Sequence, residues 1–289
     1  MIAIQHAGLV CCSDPIPQEH SSRIDRISAA LYSCGIECTK GNGLCAPGID
    51  SYRQAADKAA QLNAFWADSN IDAIFDISGG DLANQILDHI DYSQISWSGK
   101  ELWGYSDLTC ILNAIYTKAG KSSVLYTMHN LIRSNGLEQN RLLWSYLHNQ
   151  SNALFQLDAR FLQGYEMEGI LLGGNIRCFL KLAGTPYFPD LTQKILLLEA
   201  QSGTIPRITA YFSQLKQMDV FSRISGILLG TFTQLEQENN KTTAYDILKQ
   251  FIPSSLPVAA TAHIGHGDNS RAAHIGTYYR FAGTSQTQY

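Results

Sequence analysis

The sequence lacks long apolar runs and is poor in charge. No uninterrupted apolar stretch approaches the roughly 20 residues that a membrane-spanning helix needs, so we expect no membrane association. Only 16% of the 289 residues are charged, and the formal net charge is -4. That balance gives no basic field to attract nucleic acid or an anionic membrane. These absences favour a small-molecule or peptide partner.

The N-terminus also lacks the parts of a secretory signal. The opening stretch, MIAIQHAGLVCCSDPIPQEH, does not combine a cationic region, a long apolar stretch and a small-residue cleavage site. We therefore expect a cytoplasmic protein. Hydrophobic residues make up 45% of the chain, which is enough for a buried core in one large domain or two ordinary ones.

Complete metal-binding motifs are missing as well. The seven cysteines cannot all pair within one chain, and adjacent Cys11 and Cys12 lie in an apolar segment, which favours reduced, buried thiols. Cys34, Cys38 and Cys45 are close in sequence, but no second C-x-x-C pair or matching histidine accompanies them. The cysteines therefore predict no zinc site.

Three histidines near the C-terminus offer a metal site as a minority interpretation. His263, His266 and His274 are interrupted by glycines, which disfavour the helix that would align their side chains, and no H-E-x-x-H motif is present. We predict that the protein needs neither a metal nor an organic cofactor.

The pattern that is present alternates short apolar runs with amphipathic ones. In the first half, AGLVCC, IDAIFDI and KELWGY are typical of buried strands, and each is followed by a segment of helical pattern. Ile24, Ile27 and Leu31 mark one such helix, and residues 51–70 predict a second. Strands that alternate with helices predict an α/β fold with a mainly parallel sheet covered on both faces.

We place a domain boundary where this alternation loosens. Residues 1–133 are predicted to form an N-terminal α/β domain, and residues 134–159 a linker. Residues 160–289 are predicted to form a smaller, strand-rich α/β domain.

Polar residues follow several of the predicted strands, at the edge where ligands gather in open α/β sheets. IDAIFDI is followed by Ser78, Gly79 and Gly80, and paired glycines let backbone N–H groups approach a developing anion. A tight strand-to-helix turn explains the glycines about as well.

Ser106 lies in WGYSDLTCIL, between a predicted strand and a predicted helix. Serine is a preferred helix N-cap, and the turn taken alone favours that role. The position is also typical of an exposed nucleophile at a strand-to-helix elbow, although Leu108 stands where the second glycine of G-x-S-x-G would be. Evidence from other strand ends must decide between the two.

Two further strand ends carry an acid and an imidazole. KILLL is followed by Glu199, which needs a partner if the strand is central and lies at a solvated rim if it is not. His266 lies between two glycines that leave its imidazole free to be presented, whereas His263 is expected to be packed or hydrogen-bonded. A hydroxyl, an imidazole, a carboxylate and glycine N–H groups are together what acyl transfer requires.

These residues lie in stretches that resemble the LD-carboxypeptidases, serine peptidases that include muramoyl-tetrapeptide carboxypeptidases and microcin C self-immunity proteins. The stretches include DAIFDISGGDLANQILDHID, WGYSDLTCILNAIY, LLGGNIRCFLKLAGTPYFPD, KILLLEA and GHGDNSRAAHIG, in the family's order. The resemblance implies that Ser106 is the nucleophile, Glu199 the triad acid and His266 the general base. It also implies an oxyanion hole from the N–H groups of Gly80 and Asp107, and a homodimer.

Three departures from the family pattern concern the choice of substrate. Ser78 stands where relatives often carry arginine, TMHN replaces the usual His-Gly-Pro, and Ala200 stands where an acidic residue often follows the glutamate. Ser78, Gly79, His129 and Asn130 are accordingly the candidate substrate-binding residues.

The leading prediction is a serine LD-carboxypeptidase that shortens murein-type tetrapeptides to tripeptides, releasing D-Ala through an acyl-enzyme on Ser106. One alternative is a hydrolase of peptidyl or aminoacyl nucleotides such as microcin C, with the same triad. A second is a non-catalytic module that binds an anion at the glycine turn and the helix following Ser106.

Overall fold

The computed structural model describes residues 4–46, 55–238, 242–283 and 285–288, the last four as backbone only. Residues 51–54 of the predicted second helix lie outside these ranges. The described strands are, in chain order, β1 (His6–Val10), β2 (Ile16–Pro17), β3 (Glu37–Lys40), β4 (Cys45–Ala46), β5 (Ala73–Asp76), β6 (Leu102–Gly104), β7 (Ser123–Leu125), β8 (Arg160–Gln163), β9 (Glu166–Asn175), β10 (Lys194–Ala200), β11 (Gly226–Phe232), β12 (Val258–Ala260), β13 (Ala273–Ile275), β14 (Tyr278–Ala282) and β15 (Ser285–Gln288).

Helices alternate with most of these strands. The described α-helices are α1 (Ser22–Ser33), α2 (Ala55–Ala67), α3 (Tyr92–Trp97), α4 (Thr109–Ala119), α5 (Gly136–Leu147), α6 (Ile176–Leu180), α7 (Ile205–Gln217), α8 (Thr233–Gln237) and α9 (Ala244–Leu248). Short 3-10 helices cover Gln18–His20, Ala83–His89, Ser106–Leu108, Met128–Ile132 and Ala153–Phe155.

The strands form two large sheets, both mainly parallel. The first has the order β13-β7-β6-β5-β1-β3, in which only β13 runs antiparallel to its neighbour. The second has the order β15-β14-β9-β10-β11-β12-β8, with β9 to β12 parallel and the outer strands antiparallel. This arrangement confirms the α/β fold class. Strand β13 returns from late in the chain to extend the first sheet.

The predicted helix after β1 forms as expected and buries the side chains that predicted it. Ile24, Ile27 and Leu31 of α1 are all buried. At the end of α4, Gly120 adopts a φ of +65°, the left-handed conformation that glycine reaches without a Cβ penalty. Periodicity in the sequence was thus enough to place the helices that flank the first sheet.

Helix α4 is the element that joins the two sheets. Residues 109–115 are buried without interruption, so the helix has no solvent face over its first two turns. Its Asn113 exchanges two hydrogen bonds with the backbone of Gly173 in β9, at 2.8 and 2.9 Å. The turn that precedes α4 is therefore fixed against both halves of the molecule. In the described part of the chain, no helix is long and apolar enough to cross a membrane.

Candidate active site

A cleft of about 660 Å³ opens at the carboxyl ends of the first sheet's strands. Asp14 follows β1, Ser78 follows β5 and Ser106 follows β6, and all three line it. Gln201 and His266 reach the same cleft from the second half of the chain. The topology thus brings Ser78, Ser106 and His266, which the sequence singled out, to one cleft.

Ser106 lies at a strained turn between β6 and α4. Its φ is +55°, a conformation that costs a non-glycine residue about 1–3 kcal/mol, whereas the preceding Tyr105 is extended. The turn packs so closely that a Cβ added at Gly104 would lie 2.8 Å from the Leu108 side chain. Ser106 itself is half-buried on the cleft wall and makes no capping hydrogen bond to α4. The Ser106 side chain is therefore not the N-cap of α4.

The next residue, Asp107, anchors the turn with its side chain. Its carboxylate is fully buried and accepts hydrogen bonds from Ser13 Oγ at 2.7 Å and from the Ala83 N–H at 2.8 Å. Lys181 Nζ lies 2.5 Å from the other carboxylate oxygen. The backbone of Asp107 stays in the first turn of the helix, where N–H groups lack intrahelical acceptors.

The glycine turn after β5 is held by a second buried carboxylate. Asp76 accepts from the Ser78 N–H at 2.8 Å and Ser78 Oγ at 2.6 Å, and burial raises its pKa. Gly80 has a φ of +117°, and a Cβ there would overlap the Asp14 carboxylate. Only glycine fits this position, which brings the Gly80 backbone to the rim of the cleft.

Glu199 and His266 form a hydrogen-bonded pair. Glu199 is fully buried, so the interpretation of a solvated strand-end acid is wrong. Its two oxygens lie 2.9 Å from His266 Nδ1 and 3.0 Å from Asn175 Nδ2. Because an ionised carboxylate only accepts, Nδ1 carries the imidazole proton and leaves Nε2 as the acceptor. Nε2 is buried and has no hydrogen-bond partner among the described residues.

The loop that carries His266 is packed onto the end of β11. The Thr231 N–H donates to the Ile264 carbonyl at 2.8 Å, and a Cβ at Gly265 would overlap the Thr231 side chain. The ring of Tyr105, next to Ser106, meets the imidazole edge-on with centroids 5.1 Å apart. Ser106 and His266 line the same cleft, and no hydrogen bond joins the Ser106 hydroxyl to His266 Nε2. Catalytic hydrogen bonds are often long in enzymes without substrate.

The remaining histidines have separate partners. His263 Nδ1 accepts from the Asp158 N–H at 3.1 Å, as expected of a hydrogen-bonded histidine, and His274 stacks on Phe155 with centroids 4.2 Å apart. Across the residues that the structure describes, no group of three or more His, Cys, Asp or Glu could hold a metal ion. The seven cysteines are all free.

The candidate substrate-binding residues divide into two groups. Ser78, Gly79 and His129 line the cleft. His129 Nε2 lies 2.9 Å from the Ile77 carbonyl, and burial lowers the pKa of this imidazole. Asn130 is fully buried, 2.7 Å from Ser270 Oγ, and is not among the lining residues, so the structure does not bring it to the cleft.

Sequence reasoning missed two residues that hold the site. Asn175 ends β9 and binds Glu199, and its position after an apolar strand is the same signal that singled out Glu199. Lys181, which pairs with Asp107, follows the short helix α6 and carried no signal, since only the fold brings it within reach of residue 107.

Two family models match the chain. The LD-carboxypeptidase N-terminal domain matches residues 7–126, and the LD-carboxypeptidase C-terminal domain matches residues 168–281. The chain belongs to the LD-carboxypeptidase family. It is therefore a peptidase hydrolase, and the family resemblance in the sequence is confirmed.

Individual relatives agree with the family. A protein of Treponema pallidum (strain Nichols) named "Putative carboxypeptidase" is 29% identical, over 85% of this chain and 80% of the relative. The "Probable murein peptide carboxypeptidase" of Bacillus subtilis (strain 168) is 28% identical, over 91% and 85%. Among solved structures, the microcin C7 self immunity protein MccF in complex with aspartyl sulfamoyl adenosine has a TM-score of 0.85 at 20% identity, covering 96% of this chain and 93% of that one. At that identity the likeness concerns the fold.

Proposed function

We propose that the protein is a serine carboxypeptidase that hydrolyses the L,D amide bond of murein-type peptides. The observation that carries the proposal is the buried Glu199, which binds His266 Nδ1 and leaves Nε2 without a partner in the cleft lined by Ser106. An oriented imidazole beside a serine at a strained strand-to-helix turn is the arrangement that nucleophilic acyl transfer needs.

The proposed reaction uses these residues in the following roles. His266 Nε2 takes the Ser106 hydroxyl proton as Oγ attacks the scissile carbonyl carbon, and the N–H groups of Gly80 and Asp107 stabilise the oxyanion. The imidazolium, stabilised by Glu199, then gives that proton to the leaving amine as the C–N bond breaks. Water attacks the acyl-enzyme with His266 as base, which releases the shortened peptide and restores Ser106.

The murein peptide is the first candidate substrate because of the Bacillus subtilis relative, whose name specifies it. A second candidate, an aminoacyl or peptidyl nucleotide, is favoured by the fold's likeness to a protein solved with aspartyl sulfamoyl adenosine. Both substrates contain an acyl group that the same serine can accept. The choice between them depends on what the cleft binds beyond the scissile bond.

A substrate panel with a matched variant tests the proposal. The wild-type protein and Ser106→Ala are each incubated with a murein tetrapeptide and with aspartyl sulfamoyl adenosine, and the products are followed by mass spectrometry. We expect release of D-Ala from the tetrapeptide by the wild type and a loss of turnover on the order of a million-fold in Ser106→Ala.

The outcomes separate the candidate functions. Cleavage of the nucleotide analogue alone would replace the murein peptide by the second substrate. Binding without turnover in both proteins would instead favour the anion-binding module. Turnover that survives Ser106→Ala would remove the serine from the mechanism.

A further inference from the structure

The cleft around Ser106 is positively charged although the chain as a whole carries a net charge of -4. Arg23, Arg26 and Arg133 all line it, and Asp14 is the one carboxylate among its described lining residues. Clefts lined by one sign of charge concentrate ligands of the opposite sign. The charge of the cleft therefore predicts an anionic ligand.

The three arginines lie together on one side of the cleft. Arg26 Nη2 donates to the Ile132 carbonyl at 2.8 Å, so the first turns of α1 adjoin the short helix Met128–Ile132. Arg133 directly follows this helix. The positive charges of Arg133 and Arg23 add to burial in lowering the pKa of His129, which also lines the cleft.

The charge on this side is not neutralised by the protein. Within the described ranges, no ion pair joins Arg23, Arg26 or Arg133 to a carboxylate. By contrast, Arg177, which donates to the Gly80 carbonyl, pairs with Asp81. Guanidinium groups without a carboxylate partner can bind a carboxylate or a phosphate through two parallel hydrogen bonds.

The position of Arg133 indicates which side of the scissile bond the arginines contact. Its Nη1 lies 3.3 Å from the backbone carbonyl oxygen of His266, so the arginine side adjoins the loop that carries the imidazole. In the proposed reaction that imidazole gives its proton to the leaving group. A group bound by the arginines therefore belongs to the leaving side of the substrate.

We propose that Arg23, Arg26 and Arg133 form an anion subsite that binds a carboxylate or phosphate on the leaving side of the substrate. This assignment rests on the proposed function. In a murein-type peptide the anion is the C-terminal carboxylate of the released residue, and such a subsite makes the enzyme remove terminal residues. In a nucleotide conjugate the anion is a phosphate or its sulfamoyl analogue.

The carboxylate arm of the test uses two peptides that differ only at the C-terminus, one with a free carboxylate and one with an amide. The variant is Arg23→Gln/Arg26→Gln, which leaves Arg133 in place because it contacts the His266 loop. Loss of charge-assisted hydrogen bonds is expected to lower the kcat/KM ratio of acid to amide by about 10- to 100-fold, mainly through KM for the acid. Arg141→Gln, on the exposed Arg141–Glu138 pair of α5, is the matched control and should keep the wild-type ratio.

A binding arm keeps this proposal separable from the proposed function. Calorimetry on Ser106→Ala, with and without Arg23→Gln/Arg26→Gln, measures the affinity for the peptide acid and for adenosine monophosphate. Weaker binding of the peptide acid in the arginine variant identifies the carboxylate as the anion, and weaker binding of the nucleotide identifies the phosphate. Equal affinities in the two proteins, or no binding of either probe, overturn the subsite. Absence of turnover in the wild type counts against the proposed function alone.

Discussion

The two halves of the molecule position their parts of the candidate site by different means. Ser106, in the first half, is held at a φ of +55° above two buried carboxylates: Asp107, which pairs with Lys181 of the second half, and Asp76 below the glycine turn. The imidazole of His266, in the second half, is oriented by hydrogen bonds that run from Asn175 to Glu199 to Nδ1.

The two halves differ in the backbone strain at the residue that each holds. A strained φ persists only where the surroundings over-determine it, so the Ser106 turn needs several anchors. The second half has no comparable strain at Glu199, because Asn175 and Glu199 are directly paired residues of the parallel strands β9 and β10. Strand register alone brings the amide to the carboxylate.

The two arrangements meet at one junction. Thr109 Oγ1, in the first turn of α4, accepts from the Asn175 N–H at 3.0 Å. Asn175 also accepts from the Cys178 N–H and so begins helix α6. Lys181, the first residue after this helix, pairs with Asp107. The residue that orients Glu199 is thus bonded to the helix that follows Ser106. This contact ties the position of Glu199, in the second half, to the helix that follows Ser106, in the first.

The largest effects are expected where the two halves act as one catalytic unit. His266→Gln should lower kcat by about a million-fold, and Glu199→Gln by about ten thousand-fold, because the imidazole then loses only its orientation and charge stabilisation. The double variant Ser106→Ala/His266→Gln should be no slower than either single variant. Single-turnover and steady-state rates on the murein tetrapeptide compare the three single variants and the double variant with the wild type. Additive losses would show that the two residues act independently.

The next effect tests the buried charges beneath the Ser106 turn. Lys181→Met leaves the Asp107 carboxylate buried without its cation, which should lower the free energy of unfolding by about 3 kcal/mol. Arg141→Gln breaks the exposed Arg141–Glu138 pair and should cost less than about 1 kcal/mol. Urea unfolding measures both variants. Equal losses would mean that the Lys181 pair is no more than a surface contact.

A smaller effect tests the junction itself. In Gly174→Ala the new Cβ would lie 2.7 Å from Thr109 Oγ1, and the φ of +134° disfavours any side chain, so a loss of about 2–3 kcal/mol is expected. Gly184→Ala is the matched control, since its φ is +77° but nothing lies within 4 Å of the added Cβ, and about 1 kcal/mol is expected. Thermal unfolding compares the two. A Gly174 variant as stable as the control would show that α4 and β9 can separate without cost.

The sequence predicted the parts of the site that depend on where strands end. Ser106, Glu199 and Gly80 were singled out because a buried apolar run stops at or just before each. Ser106 and Gly80 follow neighbouring parallel strands of the first sheet, and Glu199 lies at the end of β10 in the second. Lys181 and the cleft arginines could not be found in this way. Their neighbours come from distant parts of the chain, and a lone cation in a helical segment has the same pattern whether it is solvated or paired with a buried carboxylate.

The same reason applies to two features of the fold for which the sequence made no prediction. Lys58 of α2 is buried and donates to the Ser13 carbonyl at 2.7 Å. Strand β13 is three residues long and joins the first sheet from the far end of the chain. Both depend on contacts between distant segments, for which local periodicity carries no information.

The smallest effect concerns the pH dependence of the first half's cleft wall. Burial lowers the pKa of His129, so below its ordinary value of about 6.5 the unfolded chain binds a proton that the native protein does not. Protonation of the unfolded chain at His129 therefore lowers the free energy of unfolding as the pH drops from about 7 to about 5, and this loss is absent at higher pH. His129→Gln, whose amide can still donate to the Ile77 carbonyl, should reduce this fall, whereas His20→Gln on the exposed 3-10 helix should not. Urea unfolding at about pH 7 and about pH 5 measures this difference in the free energy of unfolding. If His129→Gln leaves the pH dependence unchanged, His129 takes up a proton in the native cleft as readily as in the unfolded chain.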